Sequence, residues 1–181
     1  ESLRAWQQFN LTATTPSQLY FLGFGVSQYR DTMLNLRYAD KDVRDLATAF
    51  AATRSLQFTD VHVRTFLNDS VTPAQISSAA EFLKSAGPND VVVLFIAGHG
   101  MYSAGSDATY YYLPYEADRD QLESTSIPFE EFENLLQGIA PRRKLFFMDT
   151  CESGEADEEA GAPTIKTNTT VRSRAARGFR S

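Results

Sequence analysis

The chain has 181 residues, 43% of them hydrophobic and 12% aromatic, enough for one domain with a proper core and too few for two ordinary ones. Its net charge of −6 argues against general nucleic-acid binding, and one cysteine with two histidines excludes an intrachain disulfide and a clustered zinc site. The apolar run from Val91 to Ala97 falls far short of a membrane span, and the opening ESLRAWQQFN has neither the basic start nor the apolar stretch of a signal peptide, so a soluble protein of the reducing cytoplasm is expected.

Residues 1–17 read as a leader or linker. From Leu19 to Val26, LYFLGFGV is an apolar run of strand length. A polar turn follows, and then Val43, Leu46, Ala47 and Phe50 recur at the helical period. Asp60 to Phe66 alternates Val61 and Val63 against His62 and Arg64, as a strand does, with His62 read as a surface or edge residue. A second helix opens at Thr72-Pro-Ala-Gln75, which supplies an N-cap, a first-turn proline and a capping-box glutamine; Ile76, Ala79, Ala80 and Leu83 form its stripe.

Gly87-Pro-Asn-Asp90 is turn chemistry, and VVVLFIAG after it is the continuous apolar run of a central strand covered on both faces. His99 is expected just beyond its carboxyl end. Tyr110 to Pro114 suggests a short strand or ribbon. Phe129, Phe132, Leu135, Leu136 and Ile139 give a third helix that stops at Gly138, and Lys144 to Met148 is the last strand, with Cys151 just past it. Strands alternating with helices predict an α/β three-layer fold with a mostly parallel sheet and helices on both faces. In such sheets reactive groups gather at the carboxyl edge, where both His99 and Cys151 are expected.

A thiol attacks a carbonyl as thiolate, so it needs a proton acceptor nearby and donors for the oxyanion that forms. His99 offers acid and base. The backbone N–H groups of Gly100 and Cys151 are candidates for the oxyanion hole, and glycine at 98 and 100 lets a substrate approach the imidazole. A lone cysteine after an apolar strand is more often a packing residue, but the polar flanks Asp149, Thr150, Glu152 and Ser153 argue against burial here. A phosphatase loop would need arginine six positions after the cysteine, where Asp157 stands. There is no P-loop or G-x-S-x-G elbow, and Gly23-Phe-Gly25 only half-matches a dinucleotide fingerprint.

DVVVLFIAGHG and KLFFMDTCESG, with LYFLGFGVSQYRD and LRYADKDVRDLA ahead of them, resemble the caspase and metacaspase clan of cysteine proteases. The likeness is closer to the prokaryotic metacaspase-like branch than to animal caspases, and the histidine stands about 50 residues ahead of the cysteine, as in caspases. The resemblance implies Cys151 as nucleophile, His99 as general acid and base, and Asp42 and Asp149 as the acids of the S1 pocket. Two carboxylates there favour a guanidinium or ammonium, so cleavage after Arg or Lys is expected. The alternative for Asp42 is a first-turn helix acid. The glutamate at 152, where many relatives have histidine, leaves the detail of the loop open.

The clan's fold continues past the cysteine loop into a small subunit, whereas only residues 152–181 follow here, so 18–155 reads as the large, catalytic portion, missing the small-subunit strands. A partner chain carrying those strands is expected, because an uncovered sheet edge is sticky. Residues 156–181 read as a flexible intersubunit linker, in which Arg172, Arg174, Arg177 and Arg180 are candidate sites of autocatalytic cleavage; a solvated basic linker is the alternative. No cofactor is expected. Some metacaspases use calcium, but Glu155 to Glu159 lacks alternating oxygen donors and reads as a solvated acidic run. Two competing functions remain open at this level: a catalytically silent caspase-like scaffold or regulator, and a nucleic-acid-binding fragment using the basic tail.

Overall fold

A computed structural model of the protein describes residues 16–104 and 108–152, with only the backbone of Ser77, Cys151 and Glu152. Strand β1 (Leu19–Gly25) is buried along its whole length. That is why it reads as a continuous apolar run: it pairs in parallel with β2 (Val61–Leu67) on one side and with β3 (Val91–Tyr102) on the other. β3 in turn pairs in parallel with β6 (Arg143–Glu152). Beyond the end of β1, a small antiparallel ribbon of β4 (Tyr110–Tyr112) and β5 (Ile127–Pro128) continues the sheet from the last turn of β3.

Side-chain alternation along β1 and β3 divides the core into two layers. Leu19 and Phe21 join Val93, Phe95 and Ala97 beneath α1 (Ala39–Ala51), which contributes Val43 and Ala47. On the opposite face Leu22 and Phe24 join Val92, Leu94 and Ile96 beneath α2 (Pro73–Lys84) and, after the short α3 (Leu122–Thr125), α4 (Phe129–Gln137). The result is the expected three-layer α/β sandwich. Phe132 of α4 is the centre of the second layer: it is fully buried and meets Phe24 and Tyr112 edge-on, with centroids 5.3 and 5.5 Å away.

Local signals hold in most places and fail in two. The Gly87–Asp90 turn is closed by Asp90 itself, whose carboxylate accepts the Gly87 N–H at 2.7 Å and the Gln18 N–H at 2.8 Å, tying the starts of β1 and β3 together. His62 lies half-buried on the edge strand β2, stacked on Tyr20 at 4.5 Å. At the start of α2, Thr72 is the N-cap and Pro73 follows, but the predicted capping box does not form. The Thr72 carbonyl accepts the Gln75 N–H directly, at 3.0 Å, so that donor is satisfied without the hydroxyl.

The larger correction concerns strand ends. β3 runs on through His99 to Tyr102, and β6 runs on through Cys151 to Glu152. Neither residue sits beyond its strand. Apolarity ends at Ala97 and Met148, but ladder pairing continues because the backbone partner across the strand is still present. Among the described residues β6 pairs only with β3, and Leu145, Phe147 and Met148 are exposed by 47, 40 and 47%. Phe146 is instead stacked on Phe129, centroids 5.3 Å apart.

Truncating the central aromatic tests this packing. Phe132→Ala is expected to destabilise the protein by about 3–5 kcal/mol, through lost transfer energy and an unfilled cavity, measured as a drop in the midpoint of equilibrium urea unfolding.

Candidate active site

The β3–β6 register aligns His99 with Cys151, Gly98 with Thr150, and Ala97 with Asp149. Paired positions of a parallel ladder lie on one face of the sheet, so His99, Cys151 and Asp149 occupy positions of a single face at its carboxyl end. Of the Cys151 side chain the structure describes nothing.

His99 is half-buried and held at two points. Its main-chain N–H donates to the Tyr29 hydroxyl at 3.0 Å, and its Nε2 lies 2.9 Å from the Leu34 carbonyl oxygen. A carbonyl can only accept, so Nε2 carries the proton and the neutral imidazole keeps its lone pair at Nδ1. Nδ1 is buried and has no hydrogen-bond partner among the described residues. Burial lowers the imidazole's pKa, opposed by the bond to Leu34 and assisted by the positive charge of Arg119. At neutral pH the ring is therefore an uncharged base with its acceptor nitrogen open.

Leu34 and Tyr29 both come from the segment between β1 and α1. Asp31 caps a 3₁₀ turn there (Thr32–Leu34) by accepting the Met33 N–H at 3.0 Å. Asn68, after β2, accepts the N–H groups of Ser27 and Gln28 at 2.9 and 3.0 Å. The segment is thus built on the sheet rather than draped over it.

The two glycines flanking His99 have a role that the sequence does not disclose. Gly98 has φ +149°, and a Cβ there would come within 3.0 Å of the Tyr29 hydroxyl and 3.2 Å of the Tyr112 ring. At Gly100 a Cβ would overlap the Tyr110 hydroxyl. That hydroxyl is 2.6 Å from Thr150 Oγ1, one residue before Cys151. Tyr112 donates to the Ala97 carbonyl at 2.9 Å. The glycines make room for a tyrosine layer under the ends of β3 and β6, which is a different reason for G-H-G than substrate approach. Leu34, Tyr29, Tyr110 and Tyr112 were not singled out from sequence; the run Tyr110–Tyr112 is the only trace of them, and it registers only as a strand.

Asp40 and Asp42 both fall in the first turn of α1. Asp40 is engaged structurally: burial would raise its pKa, but bonds with Ser27, Arg44 and Asn68 outweigh it and hold the carboxyl below its ordinary value. Asp42 behaves in the opposite way. Partial burial pushes its carboxyl up, and the charge of Asp149 pushes it further. The structure thus brings the two predicted S1 acids within electrostatic reach of each other. Gly100 lies in β3, paired with Tyr112 on one side and Glu152 on the other. Arg172, Arg174, Arg177, Arg180 and the acidic run from Glu155 lie outside the described residues. Among the described residues no group of three or more His, Cys, Asp and Glu is disposed to hold a metal ion, and no helix is long and apolar enough to cross a membrane.

A parallel α/β sandwich with histidine and cysteine aligned on adjacent strand ends is the arrangement of a caspase-type domain. The family described as the caspase domain, of the C14 peptidases, matches residues 22–178, and the chain belongs to that family. Among solved structures it is similar to a Geobacter sulfurreducens protein determined by a structural-genomics programme, with TM-score 0.58 and 22% identity over 77% of this chain. The match spans 52% of that structure's length, and at this identity it speaks for the fold. No curated protein matches the chain.

The coupling between the two acids has a measurable sign. Asp149→Asn should lower the pKa of Asp42 toward the ordinary carboxylate value, read by NMR titration of its side-chain carbonyl. Because the folded state raises Asp42 above its unfolded value, its charge disfavours folding at neutral pH. Asp42→Asn should therefore stabilise the unliganded protein at pH 7, with the gain vanishing as pH falls below the unfolded carboxylate range.

Proposed function

We propose that the protein is a cysteine endopeptidase that cuts peptide bonds after arginine or lysine, with Cys151 as nucleophile and His99 as general acid and base. The observation that carries this reading is the pairing of His99 with Cys151 across β3 and β6, with the imidazole anchored through Nε2 so that Nδ1 is left to take a proton. Family membership supports a hydrolase of the protease kind.

The thiol gives its proton to His99, and the thiolate adds to the scissile carbonyl carbon. The N–H groups of Gly100 and Cys151 are the sequence's candidates to receive the oxyanion; both lie within the β3–β6 ladder, so serving there requires that they turn from their strand partners toward the substrate. His99 then protonates the leaving amine as the C–N bond breaks, giving a thioester. Water, deprotonated by His99, attacks the thioester and releases the acid product, which restores the thiol. Asp42 and Asp149 supply the charge that selects the residue before the cut. A carboxylate already raised by burial and by a like-charged neighbour gains most when a guanidinium enters between the pair, since the cation relieves both costs. A neutral or acidic side chain would leave them uncompensated, so discrimination against aspartate follows from the same charges.

The exposed apolar residues of β6 support a partner segment that continues the sheet, as a small subunit would. Leu145 and Phe147 occupy one face of that strand and Met148 the other, so a covering element must supply both a neighbouring strand and apolar side chains above it. The basic stretch with Arg172, Arg174, Arg177 and Arg180 is the candidate for processing by the protein itself.

Activity profiling on a peptide library, with the natural C-terminal continuation present, tests this reading. Cleavage should follow Arg or Lys, and His99→Ala should lower kcat/KM by about 10²–10⁴-fold. Absence of any Cys151 adduct with a peptidyl-arginine fluoromethyl ketone would favour a silent scaffold instead. Cys151→Ala should yield no Arg-terminated fragments of its own tail; fragments persisting in that variant would assign processing to another protease.

A further inference from the structure

Tyr29 is almost completely buried, 3% exposed, and it touches His99 twice. Its hydroxyl accepts the His99 main-chain N–H at 3.0 Å, and its ring lies against the imidazole with centroids 5.3 Å apart at 41°. Five residues on, the Leu34 carbonyl accepts the Nε2 proton. One short segment thus grips both the backbone and the ring of the same histidine.

The grip is itself braced. The Tyr29 N–H donates to Asn35 Oδ1 at 2.8 Å, and the Leu36 N–H returns to the Ser27 carbonyl at 2.8 Å. Arg30 donates its N–H to the Tyr115 carbonyl at 3.0 Å, which fastens the segment to the stretch following β4. Asn68 holds the other end while adopting φ +52°, a left-handed conformation that asparagine tolerates better than most residues. Burial raises the Tyr29 phenol far above the range in which it would ionise, so the hydroxyl keeps its proton.

We propose that Tyr29, steadied by Asn35, is a positioning residue for His99: its hydroxyl fixes the end of β3 so that Nε2 stays on the Leu34 carbonyl and Nδ1 stays open to the thiol. The proposal rests on the peptidase reading for its consequence, but its physical content, the orientation and tautomer of one imidazole, does not need turnover to be observed. An aromatic ring alone would keep the packing. Among the described residues it is the hydroxyl that accepts the His99 N–H and the Asn35 side chain that accepts the tyrosine's own N–H.

The test uses the full-length protein with ¹⁵N-labelled histidine. Tyr29→Phe is expected to lower kcat on an arginyl peptide about tenfold to a hundredfold with KM close to wild type, the cost of a slightly misplaced base. Its His99 signals should move from a pure Nε2–H tautomer toward a mixture of the two. Asn35→Ala should do the same in milder form, while Asn35→Asp, which keeps the acceptor, should restore both readouts. Unchanged kcat and unchanged imidazole signals in Tyr29→Phe would overturn the proposal. If that variant does not fold, the Asn35 pair decides: Asn35→Ala indistinguishable from wild type overturns it equally. Should wild type lack peptidase activity, the peptidase reading fails on that result, and the imidazole signals still decide the role of Tyr29.

Discussion

The parallel ladder between β3 and β6 is the constraint from which the rest of the site derives. Each strand alone would place a histidine or a cysteine near the top of a sheet. Paired in register, they place His99 opposite Cys151 and Asp149 opposite Ala97. A slip of one residue would move the cysteine to the other face, and the core forbids the slip, because Phe146 would then have to leave its stack on Phe129. The chemistry of the strand tips is thus fixed by apolar packing several residues below.

Above the core, the molecule separates support from reaction. Gly98 and Gly100 admit Tyr29, Tyr110 and Tyr112 close to the backbone, and the hydroxyls of those tyrosines bind the His99 N–H, Thr150 Oγ1 and the Ala97 carbonyl. Each strand end is therefore attached by a phenol rather than left to fray. Among the described residues the imidazole is hydrogen-bonded at Nε2 alone, and its burial depresses the charged form. A rigid backbone and a neutral imidazole bonded at one nitrogen leave a single unshared lone pair in a single place.

The acids of α1 show how neighbours sort identical side chains. Asp40 is drawn into bonds with Ser27, Asn68 and Arg44 that secure the helix start, whereas Asp42, two residues later, is raised by partial burial and by the charge of Asp149, a state that costs folding energy at neutral pH. Charge stored against its own interest is common where a ligand will compensate it. Among the described residues β6 pairs only with β3 and leaves Leu145, Phe147 and Met148 exposed.

Much of this was legible in the sequence, because the relevant signals are local. Continuous apolar runs marked β1 and β3, the 3.6-residue period marked α1, α2 and α4, and G-H-G with D-T-C-x-S-G marked the two strand tips and the family. What was misread lay where pairing outlasts hydrophobicity: β3 and β6 extend to Tyr102 and Glu152, since a polar residue stays in a strand as long as its neighbour's backbone is there to bond. The capping box at Thr72 failed because a carbonyl had already taken the Gln75 donor. The anchor of His99 was not legible at all, being a main-chain oxygen at Leu34 with no residue type to announce it. Residue identity and period by themselves determined the layers, the family and the reactive types. Tertiary structure alone decided which nitrogen of His99 is open, which aspartate feels the charge of Asp149 and why the glycines flank the histidine, because each depends on a distance between segments that no local pattern encodes.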